Sequence, residues 1–121
     1  MMPEGMAFSL RVSLKREQKF FGPGVATLLR LVERTGSLQT AAVEMRMSYS
    51  KAWKIVRAAE KELGFPLMER HVGGAGGGSS SVTAEGKRFL GRFERFDRQV
   101  HEAAEQLFLE CFEGGDTDET D

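Results

Sequence analysis

The stretch that most limits what this chain can become is TGSLQTAAVEMRMSYSKAWKIVRAAEKEL, from Thr35 to Leu63. It predicts two helices joined by a sharp turn. Gly36 suits the end of a helix, because glycine enters the left-handed conformation without steric cost. Ser37 can cap the next helix through its hydroxyl oxygen. That helix is short, with Leu38, Ala41, Ala42 and Met45 on one face; Ser48 offers a second cap, and a longer helix runs from Tyr49 to Leu63. Alanine at 41 and 42 permits the close crossing that a helix-turn-helix requires. Around the longer helix, Ala52, Ile55, Val56, Ala59 and Leu63 fall on one side and Lys51, Lys54, Arg57 and Lys61 on the other. The apolar side anchors the helix, which leaves the basic stripe for an anionic partner; double-stranded DNA is the expectation.

The flanks predict the rest of the architecture. Residues 1–6 read as a loose end. Phe8, Leu10, Val12 and Leu14 alternate with polar residues, the period of a half-buried strand. Lys15–Gln18 reads as a turn and Lys19–Phe21 as a second short strand. A helix opens at Gly22-Pro23, where proline is favoured, and carries Val25, Leu28, Leu29 and Val32 at helical spacing. Beyond the central pair, Gly64-Phe65-Pro66 interrupts the helix, Leu67–Val72 reads as a strand, residues 73–81 (GGAGGGSSS) as a loop, and Val82-Thr83 as a returning strand, with Thr83 able to cap a helix starting at Ala84. Two strands around a glycine loop, directly after a helix-turn-helix, make a wing and complete a winged helix over residues 7–83.

Residues 84–112 predict one long helix of about 40 Å. Phe89, Phe93, Phe96, Val100, Ala103 and Leu107 follow a 4-3-4-3-4 spacing, the heptad rhythm of helices that pack lengthwise. Such a strip asks for a partner, most simply the same helix of a second subunit. The expected fold class is therefore mainly α with a small β component: a winged helix-turn-helix with a long C-terminal dimerisation helix.

Charge is informative through its distribution. The formal net charge is -1, but residues 113–121 hold five carboxylates and no cation, leaving 17 basic against 18 - 5 = 13 acidic groups over residues 1–112, a formal +4. The reading is a mildly basic domain with an acidic, disordered tail that competes with DNA for the basic face. One cysteine, Cys111, excludes an internal disulfide. Nothing at the N-terminus resembles a signal peptide and no apolar run is long enough to span a membrane, so a cytoplasmic location with no membrane partner is expected.

Catalysis finds little support. The glycine loop lacks the Gly-Lys-Ser/Thr of a phosphate-binding loop. His71 and His101 lie far apart in the chain, and no nucleophile stands beside a base and an orienting group. Cys111 reads as a packing residue, and no catalytic residue, metal site or cofactor is expected. For DNA, the leading end of the second helix supplies Ser48, Tyr49, Ser50, Lys51 and Lys54. Lys54 suits a guanine edge, whereas Arg57 and Lys61 suit phosphates. Ser37, Gln39 and Thr40 suit a phosphate at the start of the preceding helix. Arg70, His71, Gly74, Gly76 and Ser79 are the wing candidates. Trp53, one turn from Tyr49, is assigned to packing against the wing. The dimer-interface candidates are Leu28, Phe89, Phe93, Phe96, Val100, Ala103 and Leu107.

These residues also resemble a known family. FGPG at Phe21–Gly24, LL at Leu28–Leu29, TGS at Thr35–Ser37, AA at Ala41–Ala42, MSYSKAW at Met47–Trp53, PL at Pro66–Leu67, GGAGGG at Gly73–Gly78 and VTAEG at Val82–Gly86 are similar to the N-terminal DNA-binding domain of the ModE family of molybdate-responsive regulators, a winged helix related to the LysR type. The resemblance spans about Leu10 to Leu107. It implies a homodimer paired through its first and last helices, with the second helix of the pair in the major groove and the wing on the backbone or minor groove. Family members continue into oxyanion-binding domains where this sequence has its acidic tail, so molybdate binding by this chain is not expected. The reading is a transcriptional regulator acting on a palindromic operator, with molybdenum metabolism as the link that the resemblance implies. Its rival is a non-catalytic protein-interaction module on the same scaffold.

Overall fold

The computed structural model describes residues 4–72 and 78–112. Its elements follow the order β1 (Leu14–Lys15), β2 (Lys19–Phe21), α1 (Pro23–Thr35), α2 (Leu38–Glu44), α3 (Tyr49–Leu63), β3 (Met68–His71), β4 (Ser79–Val82) and α4 (Ala84–Phe112). β1 pairs antiparallel with β2, and β3 with β4. The fold is the expected winged helix-turn-helix.

Local chemistry sets the helix boundaries. α1 starts at Pro23 and ends on Gly36, at φ 73°, whose amide returns to the Val32 carbonyl at 2.7 Å. The Ser37 hydroxyl accepts from the Thr40 amide and the Ser48 hydroxyl from the Lys51 amide, both at 3.0 Å. Thr83 does the same for α4, accepting from the Gly86 amide at 2.9 Å while donating to the Pro66 carbonyl at 2.7 Å. Gly86 has no room for a side chain: a Cβ there would stand 2.7 Å from the Leu67 carbonyl oxygen. α4 therefore leaves the wing in close contact with the chain just before β3.

Phe21, Leu28, Leu29, Val32, Leu38, Ala41, Ala42, Ala52, Val56, Leu67, Leu90 and Phe93 form the core. Phe21 is its hub, with Phe89 and Phe93 of α4 edge-on at centroid distances of 4.9 and 5.1 Å. Two interface expectations are corrected here. Leu28 is fully buried among the subunit's own helices and Phe93 nearly so; neither has surface left for a second chain. Phe89 is half-buried against Phe21 and Phe65, while Phe96, Ala103 and Leu107 are exposed and Val100 is half-buried.

The strands differ from expectation at both ends of the domain. Only Leu14–Lys15 joins a ladder, because β2 offers three residues and the register shifts between Leu14 and Lys15. The residues before Leu14 run beside α4 without joining a strand ladder, and Phe8 and Leu10 stay exposed. Phe8 stacks on Phe108 at 5.3 Å, and His101 Nε2 lies 3.0 Å from the Leu10 carbonyl oxygen. In the wing, the returning strand begins at Ser79, not Val82, with Ser79, Ser80 and Ser81 paired to His71, Arg70 and Glu69. Serine in this strand gave no hydrophobic signal. The acidic tail, 113–121, and the loop candidates Gly74 and Gly76 lie outside the described residues.

Candidate nucleic-acid interface

α3 is amphipathic in place as well as in pattern. Ala52, Val56 and Ala59 are fully buried and Ile55 and Leu63 half-buried, while Lys51, Lys54, Arg57 and Lys61 face solvent. Elsewhere three arginines are neutralised: Arg16 pairs with Glu62, Arg30 with Glu33 and Glu94, and Arg34 with Glu44. Among the described residues, no carboxylate lies within ion-pairing distance of the four α3 cations. The same holds for Lys87, Arg88, Arg92, Arg95 and Arg98 on α4, so the lack of a partner does not mark a site by itself. Position distinguishes the α3 cations as candidates: α3 is the second helix of the helix-turn-helix, and the wing brings the Arg70 guanidinium over its Trp53.

That convergence is built on Trp53. Its ring carries the guanidinium of Arg57, one turn along α3, at 5.0 Å from the centroid, and the guanidinium of Arg70, from β3, at 5.4 Å. Tyr49 meets the same ring edge-on at 6.4 Å. Trp53 thus packs against the wing, and its half-buried ring also ties a wing cation to the helix. Its Nε1 is buried with no hydrogen-bond partner among the described residues. A second tie comes from Glu60, on the inner side of α3. One of its carboxylate oxygens accepts from the amides of Leu67 at 2.8 Å and Met68 at 3.2 Å, which fixes where β3 starts. A third is the Ser80 amide, which donates to the Gly36 carbonyl at 2.8 Å and holds β4 against the turn between α1 and α2.

These ties bring sequence-distant candidates together. Ser37, Gln39, Tyr49, Arg70, His71 and Ser79 line one polar depression of about 350 Å³ between the start of α2 and the wing. With Arg70 on its wall, and hydroxyls and an imidazole around it, this surface suits a phosphate. His71 Nε2 and Ser81 Oγ share a hydrogen bond of 2.9 Å, which orients the ring. Ser37 and Ser48 each use a lone pair in capping and keep a hydroxyl proton to donate. Thr40, Ser50 and Lys51 are exposed beside this region. Lys61 is ten residues beyond Lys51, about 15 Å along the helix axis, so the two reach different parts of a partner. Sequence reasoning missed Glu60 and the double occupation of Trp53, since both depend on where β3 crosses α3.

Residues 26–87 match the family described as bacterial regulatory helix-turn-helix protein, lysR family. The chain is 31% identical over 93 residues to the transcriptional regulator ModE of Haemophilus influenzae, covering 76% of this chain and 36% of that protein. It is 31% identical over 86 residues to the DNA-binding transcriptional dual regulator ModE of Escherichia coli, covering 70% and 33%. The molybdenum-pterin-binding protein MopB of Rhodobacter capsulatus is 33% identical over 89 residues, with 74% and 33% covered. The chain thus spans about a third of the length of these relatives. Among solved structures, the CbnR_DBD–DNA complex shares the fold with a TM-score of 0.57 at 19% identity, over 73% of this chain and 95% of that one. With its helix-turn-helix, its wing and the matched span, the chain belongs to the lysR family of bacterial regulatory helix-turn-helix proteins.

Proposed function

We propose that the protein is a transcriptional regulator that binds double-stranded DNA as a homodimer, with α3 in the major groove and the wing on the adjoining backbone. The observation that carries this is the outward face of α3. It presents Lys51, Lys54 and Arg57 without a carboxylate partner among the described residues, and a fourth cation, Arg70, is held against the same face by Trp53. Ser50, Lys51 and Lys54 are the base-edge candidates; Ser37, Gln39, Thr40, Arg57, Lys61, Arg70, His71 and Ser79 are the phosphate candidates. The exposed part of the α4 stripe, Phe96, Ala103 and Leu107 with Val100, forms the dimer contact, so two α3 helices related by a two-fold axis read half-sites one or more helical turns apart. The resemblance to proteins named ModE supports a link to molybdenum metabolism. The face is a binding surface, not a reaction centre, and a cytoplasmic location follows from the role; no described helix is long and apolar enough to cross a membrane.

The test is fluorescence anisotropy against the DNA upstream of the protein's own gene and a scrambled duplex, at two salt concentrations, beside a Lys54→Ala/Arg57→Ala variant. Specific binding should weaken with salt and be lost in the variant, whose residual nonspecific binding should show a salt slope reduced by about one for each phosphate contact removed. No binding to either duplex at low salt would return the fold to the interaction-module reading.

A further inference from the structure

One part of the α3 surface is not accounted for by its cations. Tyr49, Ser50, Trp53, Lys54 and Arg57 line an open depression of about 510 Å³ whose floor is aromatic. Tyr49 is the first residue of α3 and 38% exposed. The core does not need it, because Ala52, Val56 and Ala59 hold α3 down. Its outward neighbours, Ser48, Ser50, Lys51 and Lys54, are all polar or cationic and exposed. The Trp53 ring is already engaged by two guanidiniums, which leaves the Tyr49 ring as the free apolar surface. Tyr49 also lines the polar depression with Ser37, Arg70 and Ser79. It is therefore a ridge between an apolar seat and a cationic one.

Duplex DNA presents the same adjacency. Phosphates border the major groove, and within the groove the one apolar group on a base edge is the C5 methyl of thymine. We propose that the depression beside Tyr49 is a thymine-methyl seat: each half-site contains a thymine whose methyl lies against the Tyr49 ring, flanked by Lys54 and Arg57, while the neighbouring phosphate occupies the polar side of the ridge. This rests on the DNA-binding reading and names the base feature that α3 reads.

The experiment selects the preferred duplex from a random library and replaces its thymines one at a time by deoxyuridine, which removes the methyl and keeps every hydrogen-bonding group. One position in each half-site should lose about fourfold in affinity, the value of one buried methyl-sized group, and the remaining positions should lose nothing. Tyr49→Phe should keep that preference, and Tyr49→Ala, with an unchanged circular dichroism spectrum, should bind thymine and deoxyuridine duplexes alike. The seat is overturned if the wild type binds its selected duplex and no deoxyuridine matters, or if the penalty persists in Tyr49→Ala. A selection that enriches no duplex would overturn the DNA-binding reading and the seat with it.

Discussion

Phe89 and Phe93, near the start of α4, and Phe96, Ala103 and Leu107 further on occupy successive positions of one heptad stripe, yet the first pair packs against Phe21 and the others remain in solvent. The difference is one of reach. The core ends near Phe93, while the helix continues to Phe112. Beyond that point it is the N-terminal segment that covers α4, along a neighbouring row, where Phe8 lies on Phe108, itself stacked on Phe112 at 5.2 Å. A heptad repeat identifies a strip that needs cover. It does not say whether the cover comes from the same chain or another.

Four changes put that contrast under strain. The largest effect belongs to the buried half: Phe93→Ala should cost about 3–5 kcal/mol of folding stability, read from the urea midpoint, and a loss under about 1 kcal/mol, below the usual range for a buried aromatic, would mean the core does not depend on it. In the exposed half, Phe96→Asp/Leu107→Asp should leave the subunit's secondary structure intact and lower the sedimenting mass from dimer to monomer. A dimer that persists would place the interface on another surface.

At the junction of the halves, Arg30 grips Glu94 through two bonds of 2.9 and 2.5 Å, and these bonds hold the Glu94 carboxyl below its ordinary pKa. A depressed carboxyl stabilises above its unfolded pKa, and that contribution is lost as pH falls through the folded value. Glu94→Gln should therefore cost up to about 1 kcal/mol at neutral pH, since the pair is partly exposed, with the gap to wild type closing in strong acid. Equal denaturation midpoints at neutral pH would show that the pair contributes nothing.

The smallest effect concerns His101. Its Nδ1 faces the Asp97 carbonyl at 2.8 Å and its Nε2 the Leu10 carbonyl at 3.0 Å, so only the protonated ring can donate to both. The Asp97 carbonyl, then that of Leu10, with a smaller push from the Asp97 carboxylate, raises its pKa. The contact with the N-terminal segment should be complete at low pH and weaken as pH rises through that raised value, where the neutral ring keeps one N–H for two carbonyls. Phe8 ring resonances tracking the His101 titration would show it; resonances flat across that range would separate the segment from the histidine.

Much of the fold was legible because its signals are local. Gly36, Ser37, Ser48 and Thr83 act within a few residues of themselves, and each does in the structure what its type and position imply. The candidate interface was legible in part. The α3 stripe follows from spacing alone, and the packing of Trp53 on the wing was anticipated. The Arg70 guanidinium over that same ring was not, nor was Glu60 bonded to two amides at the start of the wing, since nothing in the order of residues says that β3 returns across α3. The alternation from Phe8 to Leu14 misled because it did not become alternating burial: Phe8 and Leu10 stay exposed beside α4, while Val12 and Leu14 are half-buried against the core.

Residue order alone thus accounts for the helices, their ends, the presence of a wing and the cationic side of α3, because capping, helical period and charge are properties of neighbouring residues. Which apolar residues were consumed was settled only by packing. Leu28 and Phe93 went to the core and Phe96 and Leu107 did not, because burial depends on which distant segments arrive at the same place. Packing also brought Ser37, Tyr49, Arg70 and Ser79 onto one surface, for the same reason: a site made from the start of one helix, the next helix and a hairpin exists only once their association has closed the distance along the chain.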